Sequence, residues 1–296
     1  MTGKSKRSTK KSPLAMRPGR LIGKVALISG AAGNIGEVIV RRYLEEGATV
    51  VMVGRNQAKL EAAREKLLTL SAAPAERAFV LAFDASDAGQ ARFGVETVMR
   101  QFGRLDILVN NAGSAGPKAS IENLPLSREE LEVMRAAGST DTETVADAAG
   151  NLLGLSWNMV RAAAPHLAAG SSVINVSTIF SRTGYYGRAA YVVPKSALNA
   201  FSRQLALQLG QRGIRVNTVF PGPIESNRIR TVFKAMDTLR KAPEGTTAND
   251  FHGDDGARSR RCQQRHCQKF ADGRRCRQHH RFFGQRRIDG LQCAGF

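Results

Sequence analysis

The chain has 296 residues, 42% of them apolar, which is enough for one large α/β domain or two small ones with a full core. Its net charge of +19 would point to nucleic acid or an anionic surface if it were spread along the chain, but residues 1–20 and 251–296 hold +7 each, leaving +5 for residues 21–250. No apolar run reaches the length of a membrane span, the basic start lacks the apolar stretch of a signal peptide, and all four cysteines fall after residue 260, so a cytoplasmic enzyme is expected, with a basic nucleic-acid-binding module as the alternative.

Residues 1–20, rich in Lys, Ser and Thr, read as a disordered leader. From Gly23 onward, short apolar strands alternate with helices. Strands are expected at Val25–Ile28, Thr49–Val53, Ala78–Phe83, Leu105–Val109, Ser172–Ser177 and Ile214–Phe220. Helices are expected up to Glu46, over Gln57–Leu70, up to Phe102, around Asn151–Ala164 and over Ala190–Leu209. Strict alternation predicts an α/β domain built on a doubly wound parallel sheet, over residues 21–250. Right-handed crossovers gather the C-terminal ends of all strands on one edge, where a ligand should bind.

That edge collects the chemistry. Gly30, Gly33 and Gly36 lie between the first strand and first helix, where bare backbone and a helix N-terminus can receive a pyrophosphate. At the end of the second strand Gly54 is followed by Arg55 rather than an acid, a choice that suits the 2′-phosphate of NADP. Asp84 ends the third strand, where it can accept from an adenine amino group. Asn110-Asn-Ala-Gly113 ends the fourth, close enough to pack against a ribose. Tyr191 and Lys195 stand i and i+4 on the last helix, so they project from one face a turn apart. A phenol beside an ammonium makes a proton donor suited to general acid catalysis.

Together, Gly30-x-x-x-Asn-Ile-Gly36, Asn110-Asn-Ala-Gly113, Ser177/Thr178, Tyr191-x-x-x-Lys195 and Pro221-Gly222 resemble the classical short-chain dehydrogenases/reductases, over roughly Leu21 to Met236. The resemblance implies a Rossmann-type fold and NADP bound by Gly30, Gly33, Asn34, Ile35, Gly36, Arg55, Asp84, Asn110, Ala112, Gly113, Pro221, Gly222 and Ile224, with Tyr191 and Lys195 also touching the cofactor. It further implies that Tyr191 protonates a carbonyl oxygen, that Lys195 lowers the Tyr191 pKa and holds the nicotinamide ribose, and that Asn151 shapes a water relay. The polarising hydroxyl falls thirteen residues before the Tyr, on Thr178, where Ser is usual; Ser177 and Ser181 are the alternatives. Asn34 stands where the family has its middle glycine, and Asn tolerates left-handed backbone better than other non-glycine residues. No metal is called for.

A closer resemblance runs from Val173 to Phe233. Asn175-Val-Ser-Thr-Ile-Phe-Ser181, Tyr185-Tyr-Gly187 and Phe220-Pro-Gly-Pro-Ile-Glu-Ser226 are similar to the N-terminal reductase region of the bifunctional malonyl-CoA reductases. That implies reduction of malonate semialdehyde to 3-hydroxypropionate, and a partner list of one small carbonyl substrate, further copies of the chain or further reductase domains. A carboxylated substrate calls for a cation, and Arg182, Arg188 and Arg228 are the candidates.

After about His252 the periodicity ends, and Arg, Gln, Cys, His and Gly crowd residues 251–296. Cys262, Cys267, Cys276 and His279 match no tight zinc knuckle. Choosing codons from Asp254 onward and reading them one nucleotide over gives an acidic, helix-patterned string similar to the family's C-terminal helix. The tail is therefore read as non-native, the product of a shifted frame. On that reading the chain lacks its final strand and is a truncated, inactive dehydrogenase of poor solubility.

Overall fold

In the computed structural model, residues 19–113, 116–117, 121–136, 143–185, 187–222 and 224 are described. The leader, Arg228 and the 251–296 tail lie outside them. So do the shifted frame and the missing final strand that were read from the tail.

Six stretches form one parallel sheet: β1 (Val25–Ser29), β2 (Thr49–Gly54), β3 (Ala78–Ala82), β4 (Leu105–Asn110), β5 (Leu167–Val176) and β6 (Arg215–Val219). Their order is β3-β2-β1-β4-β5-β6, the doubly wound arrangement, with the chain reversing direction across the sheet between β1 and β4. Alternation of side chains sorts each strand between two layers. Ile28, Val50 and Met52 pack with α1 (Asn34–Glu45) and α2 (Gln57–Ser71) on one face. Leu27, Val51 and Leu108 pack on the other with α3 (Ala88–Phe102), α5 (Val145–Ala163) and α7 (Ala189–Gly210). Two shorter helices, α4 (Arg128–Ala136) and α6 (Phe180–Thr183), lie in the connections.

Caps set where the helices begin. Asn56 Oδ1 accepts from the Lys59 amide at 2.9 Å at the start of α2, and Asp87 Oδ1 from the Gln90 amide at 2.8 Å at the start of α3. Thr144 and Asp147 form a reciprocal capping box that starts α5 at Val145, six residues before the expected Asn151. β5 likewise starts at Leu167 rather than Ser172, with a register shift between Leu105 and Ile107 in its pairing with β4. The sequence pattern does not reveal α4, whose one buried residue is Leu131; a single apolar position carries no periodicity.

One polar ladder crosses the interior. Asn110 Nδ2 donates to Asn175 Oδ1 at 2.8 Å, Asn175 Nδ2 to Ser202 Oγ at 2.8 Å, and Ser202 Oγ to the Leu198 carbonyl at 2.7 Å. It joins the ends of β4 and β5 to the middle of α7. On the α1 side of β4–β6, a groove of about 420 Å³ is lined by Tyr43, Ile107, Ile174 and Val219, among others. Among the described residues β3 and β6 are the sheet's two edges.

Asn175→Ala should destabilise the fold by about 3 kcal/mol, because two buried polar groups lose a partner at a cost of roughly 1–3 kcal/mol each. The denaturant midpoint, read at unchanged slope, measures it. A loss under about 0.5 kcal/mol would show that the ladder is not a structural tie.

Candidate active site

The turn after β1 is shaped for close approach. Gly30 has φ +64°, and a Cβ there would sit 2.9 Å from the Ala112 Cα. A side chain at Gly36 would collide with the Gly30 carbonyl, so the first turn of α1 folds back onto the loop only without one. Gly33 precedes α1 as a helix start with no side-chain cap, which leaves the amides of its first turn, Asn34, Ile35 and Gly36, free to meet an anion. Among the described residues Ala72 alone, apart from glycines, has positive φ. Asn34 thus takes ordinary helical backbone, and the tolerance for left-handed geometry invoked for it is not needed.

A second loop clamps the first. Asn111 Nδ2 donates to the Ser29 carbonyl at 3.2 Å and the Gly30 carbonyl at 3.0 Å, while Ser29 Oγ accepts from the amides of Asn111 and Ala112 at 3.1 and 3.2 Å. The Asn110 side chain turns inward to Asn175, so at this loop the backbone and the residues after it face the edge. Arg55 and Asp84, from neighbouring strand ends, meet: Nη1 lies 4.0 Å from Asp84 Oδ2, with the guanidinium side chain 81% exposed. Burial pushes the Asp84 carboxyl up, but hydrogen bonds from the Ser86 hydroxyl and amide and the charge of Arg55 outweigh it and hold the carboxyl below its ordinary range.

The third group surrounds Lys195. Its ammonium is 5% exposed and donates to the Val176 carbonyl at 2.7 Å, where β5 ends. A Cβ added at Gly113 would lie 3.5 Å from that nitrogen, so the fourth strand's loop packs directly on it. Desolvation lowers the Lys195 pKa from 10.5 to about 8. Tyr191, half-buried one turn earlier on α7, has the Arg188 guanidinium 5.3 Å from its ring centre. Arg182 makes the matching contact with Phe220 at 5.2 Å.

The three candidate hydroxyls differ in use. Ser177 Oγ lies 3.1 Å from the Lys195 carbonyl, to which it donates, and 3.2 Å from Ser181 Oγ. Ser181 Oγ donates to the Thr178 carbonyl at 2.6 Å. Thr178 Oγ1 accepts from the Phe180 amide at 3.4 Å and donates to no described residue, so its proton is available to a ligand. The Ile179 amide donates to the Pro221 carbonyl at 3.0 Å, which brings Pro221 and Gly222 beside the Thr178 turn. Ile224 is 42% exposed beyond them.

Asn151 is exposed on α5 and donates to Glu143 Oε2 at 3.2 Å, with no hydrogen bond to Lys195. Ser29 bonds to the Asn111 loop, Asn199 to Ser181 and Glu143 to Asn151, and the motifs name none of the three. Ser29 had a visible signal, as the single hydroxyl closing an apolar strand; Glu143 had none.

A family model for short chain dehydrogenases matches residues 24–237. An uncharacterised oxidoreductase of Methylorubrum extorquens is 34% identical over 212 residues, 72% of this chain and 77% of its own length. The NADPH-dependent aldehyde reductase 1 of Arabidopsis thaliana is 31% identical over 208 residues, 69% of this chain and 67% of its own. Among solved structures, the N-domain of a bacterial malonyl-CoA reductase with NADP is 59% identical, with a TM-score of 0.71. The match covers 79% of this chain but 43% of that one.

The Lys195 environment predicts how stability follows pH. Below about pH 8 the lysine is charged whether folded or unfolded, and the folded state bears the full desolvation cost. Between about 8 and 10.5 the folded state has released the proton and the unfolded state keeps it, so stability rises with pH. Lys195→Met should therefore be more stable than the unchanged protein near pH 7, by about 3 kcal/mol at most, with the gap closing by pH 10.5. Melting curves of both across that range decide it, and a gap independent of pH refutes it.

Proposed function

Because the chain belongs to the short-chain dehydrogenase family, we propose that it is an NADPH-dependent carbonyl reductase acting on malonate semialdehyde, which it converts to 3-hydroxypropionate. The observation that carries the reading is the meeting, at one sheet edge, of a glycine cradle, a buried Lys195, Tyr191 a turn away on the same helix, and a Thr178 hydroxyl with its proton unused. The cradle fits a dinucleotide: without side chains at Gly30 and Gly36 the loop after β1 closes on Ala112 and on the first turn of α1, and the α1 N-terminus offers its amides.

In this reading Gly30, Gly33, Asn34, Ile35 and Gly36 hold the pyrophosphate, and Arg55 takes the 2′-phosphate. Asp84, Asn110, Ala112 and Gly113 line the adenosine and ribose side, with Pro221, Gly222 and Ile224 near the nicotinamide. Bound NADPH supplies the hydride. Thr178 Oγ1 donates to the substrate carbonyl and polarises it, and Tyr191 delivers the proton to the oxygen as charge develops there. Lys195, its ammonium bonded to the Val176 carbonyl, would hold the nicotinamide ribose. Asn151 fits the relay only if a rearrangement breaks its bond to Glu143.

Two observations support a carboxylated substrate. Arg188 lies against the Tyr191 ring, and the 59% identity is to a malonyl-CoA reductase domain. A guanidinium beside the proton donor can grip a carboxylate one methylene away from the reacting carbonyl.

Tyr191→Phe should lower turnover roughly 10²–10⁴-fold with NADPH binding intact, and an unchanged rate would overturn the mechanism. Arg55→Asp should weaken NADPH and improve NADH relative to it; equal affinity for the two in the unmodified protein would contradict the cofactor assignment. Kinetics on malonate semialdehyde, succinate semialdehyde, acetoacetyl thioesters and simple ketones test the substrate, and a preference for uncharged ketones removes it.

A further inference from the structure

Four polar side chains of α7 fall on one stripe: Tyr191, Lys195, Asn199 and Ser202. The last three are buried, and each bonds to the end of β5 or the turn that follows it. Lys195 donates to the Val176 carbonyl and Ser202 accepts from Asn175. Asn199 reaches further along the chain: its Nδ2 donates to Ser181 Oγ at 2.8 Å. Ser181 in turn donates to the Thr178 carbonyl at 2.6 Å, and its own carbonyl accepts from Ser196 Oγ at 3.1 Å. The Ser181 hydroxyl is thus a hub between the helix that carries Tyr191 and the turn that carries Thr178.

The hub is costly. Asn199 is 9% exposed and its Oδ1 has no hydrogen-bond partner. A leucine shares the branched shape and leaves no acceptor unpaired, so stability alone does not account for an amide here. What the amide adds is direction: it fixes the orientation of Ser181 Oγ, and Ser181 fixes the Thr178 carbonyl. The Thr178 hydroxyl hangs from that same residue.

We propose that Asn199, acting through Ser181, is a positioning residue that sets where the Thr178 hydroxyl sits relative to Tyr191. Neither Asn199 nor Ser181 touches the substrate. The inference rests on Thr178 and Tyr191 being the groups that meet the carbonyl, as proposed above.

Full-length Asn199→Leu, Ser181→Ala and Ser181→Thr test it with three readouts. A misplaced hydroxyl should lower kcat about 10- to 100-fold in Asn199→Leu and Ser181→Ala. NADPH affinity should be unchanged and the melting temperature of Asn199→Leu equal or higher. Ser181→Thr, which keeps the hydroxyl, should recover most of the rate. The Thr178 γ-methyl NMR signal, assigned with Thr178→Ser, should shift or broaden in the first two variants and not in the third. This last readout needs no substrate, so it decides the positioning role even if no carbonyl is reduced, a result that would sink the proposed function instead. An unmoved Thr178 methyl, or a kcat loss that tracks lost stability, would overturn the proposal.

Discussion

An ammonium with a single carbonyl for company is among the more expensive things to bury in a protein, and Lys195 is 5% exposed with Val176 as its hydrogen-bond acceptor. Much of the C-terminal edge of the sheet can be understood as the arrangement that makes this tolerable. β5 has to end at Val176 so that its carbonyl is aimed at the ammonium and not consumed by a neighbouring strand. The next amide, Ser177, then bonds to the Val219 carbonyl at 2.8 Å, and the Ser177 hydroxyl returns to the Lys195 backbone. Gly113, in the loop after β4, lies beside the amine and has no side chain to press on Leu152, which a Cβ would approach to 2.9 Å. One buried cation thereby ties together the ends of β4, β5 and β6 and the first turns of α7.

The opposite end of the edge is held by neutral bonds. Asn111 and Ser29 exchange hydrogen bonds between the loops after β4 and β1, so the glycine turn is fixed by a neighbour rather than by its own side chains. That division of labour follows from what each half has to do. A phosphate site needs bare amides and room, so its rigidity has to come from outside it. An acid–base site needs side chains, whose packing supplies the rigidity directly.

The fold was legible in the sequence because β1 to β4 are short, mostly apolar runs that end at turn signals, and because polar positions such as Ser29 and Asn110 fall at strand ends. Boundaries failed where capping or register decided them: Thr144 and Asp147 lengthened α5, and the pairing of Leu105 with Leu167 lengthened β5. Glycine-turn residues, Tyr191 and Lys195 were legible because their spacing is local. Contacts between distant segments were not. Nothing in the chain's pattern states that Arg55 leans on Asp84 or that the Asn110 amide faces inward. These depend on how strand ends meet across the sheet, which a linear pattern does not encode. Spacing favours Thr178 over Ser177 and Ser181, but the pattern does not say that the two serine hydroxyls donate to carbonyls.

The buried amide ladder has a consequence for how such a chain can change over generations. Asn175 bonds to both Asn110 and Ser202, so altering it strands two neighbours in the interior, where Asn110 Oδ1 already has no partner, whereas three apolar residues of matched volume would leave nothing unpaired. The two solutions are separated by intermediates that are each worse than either end, because energies of residues in one network do not add. A lineage that inherits the polar version is therefore held to it by the order in which substitutions arrive, whatever the merits of the alternative. Drift is free at the solvated helix faces and nearly closed along this line through the sheet.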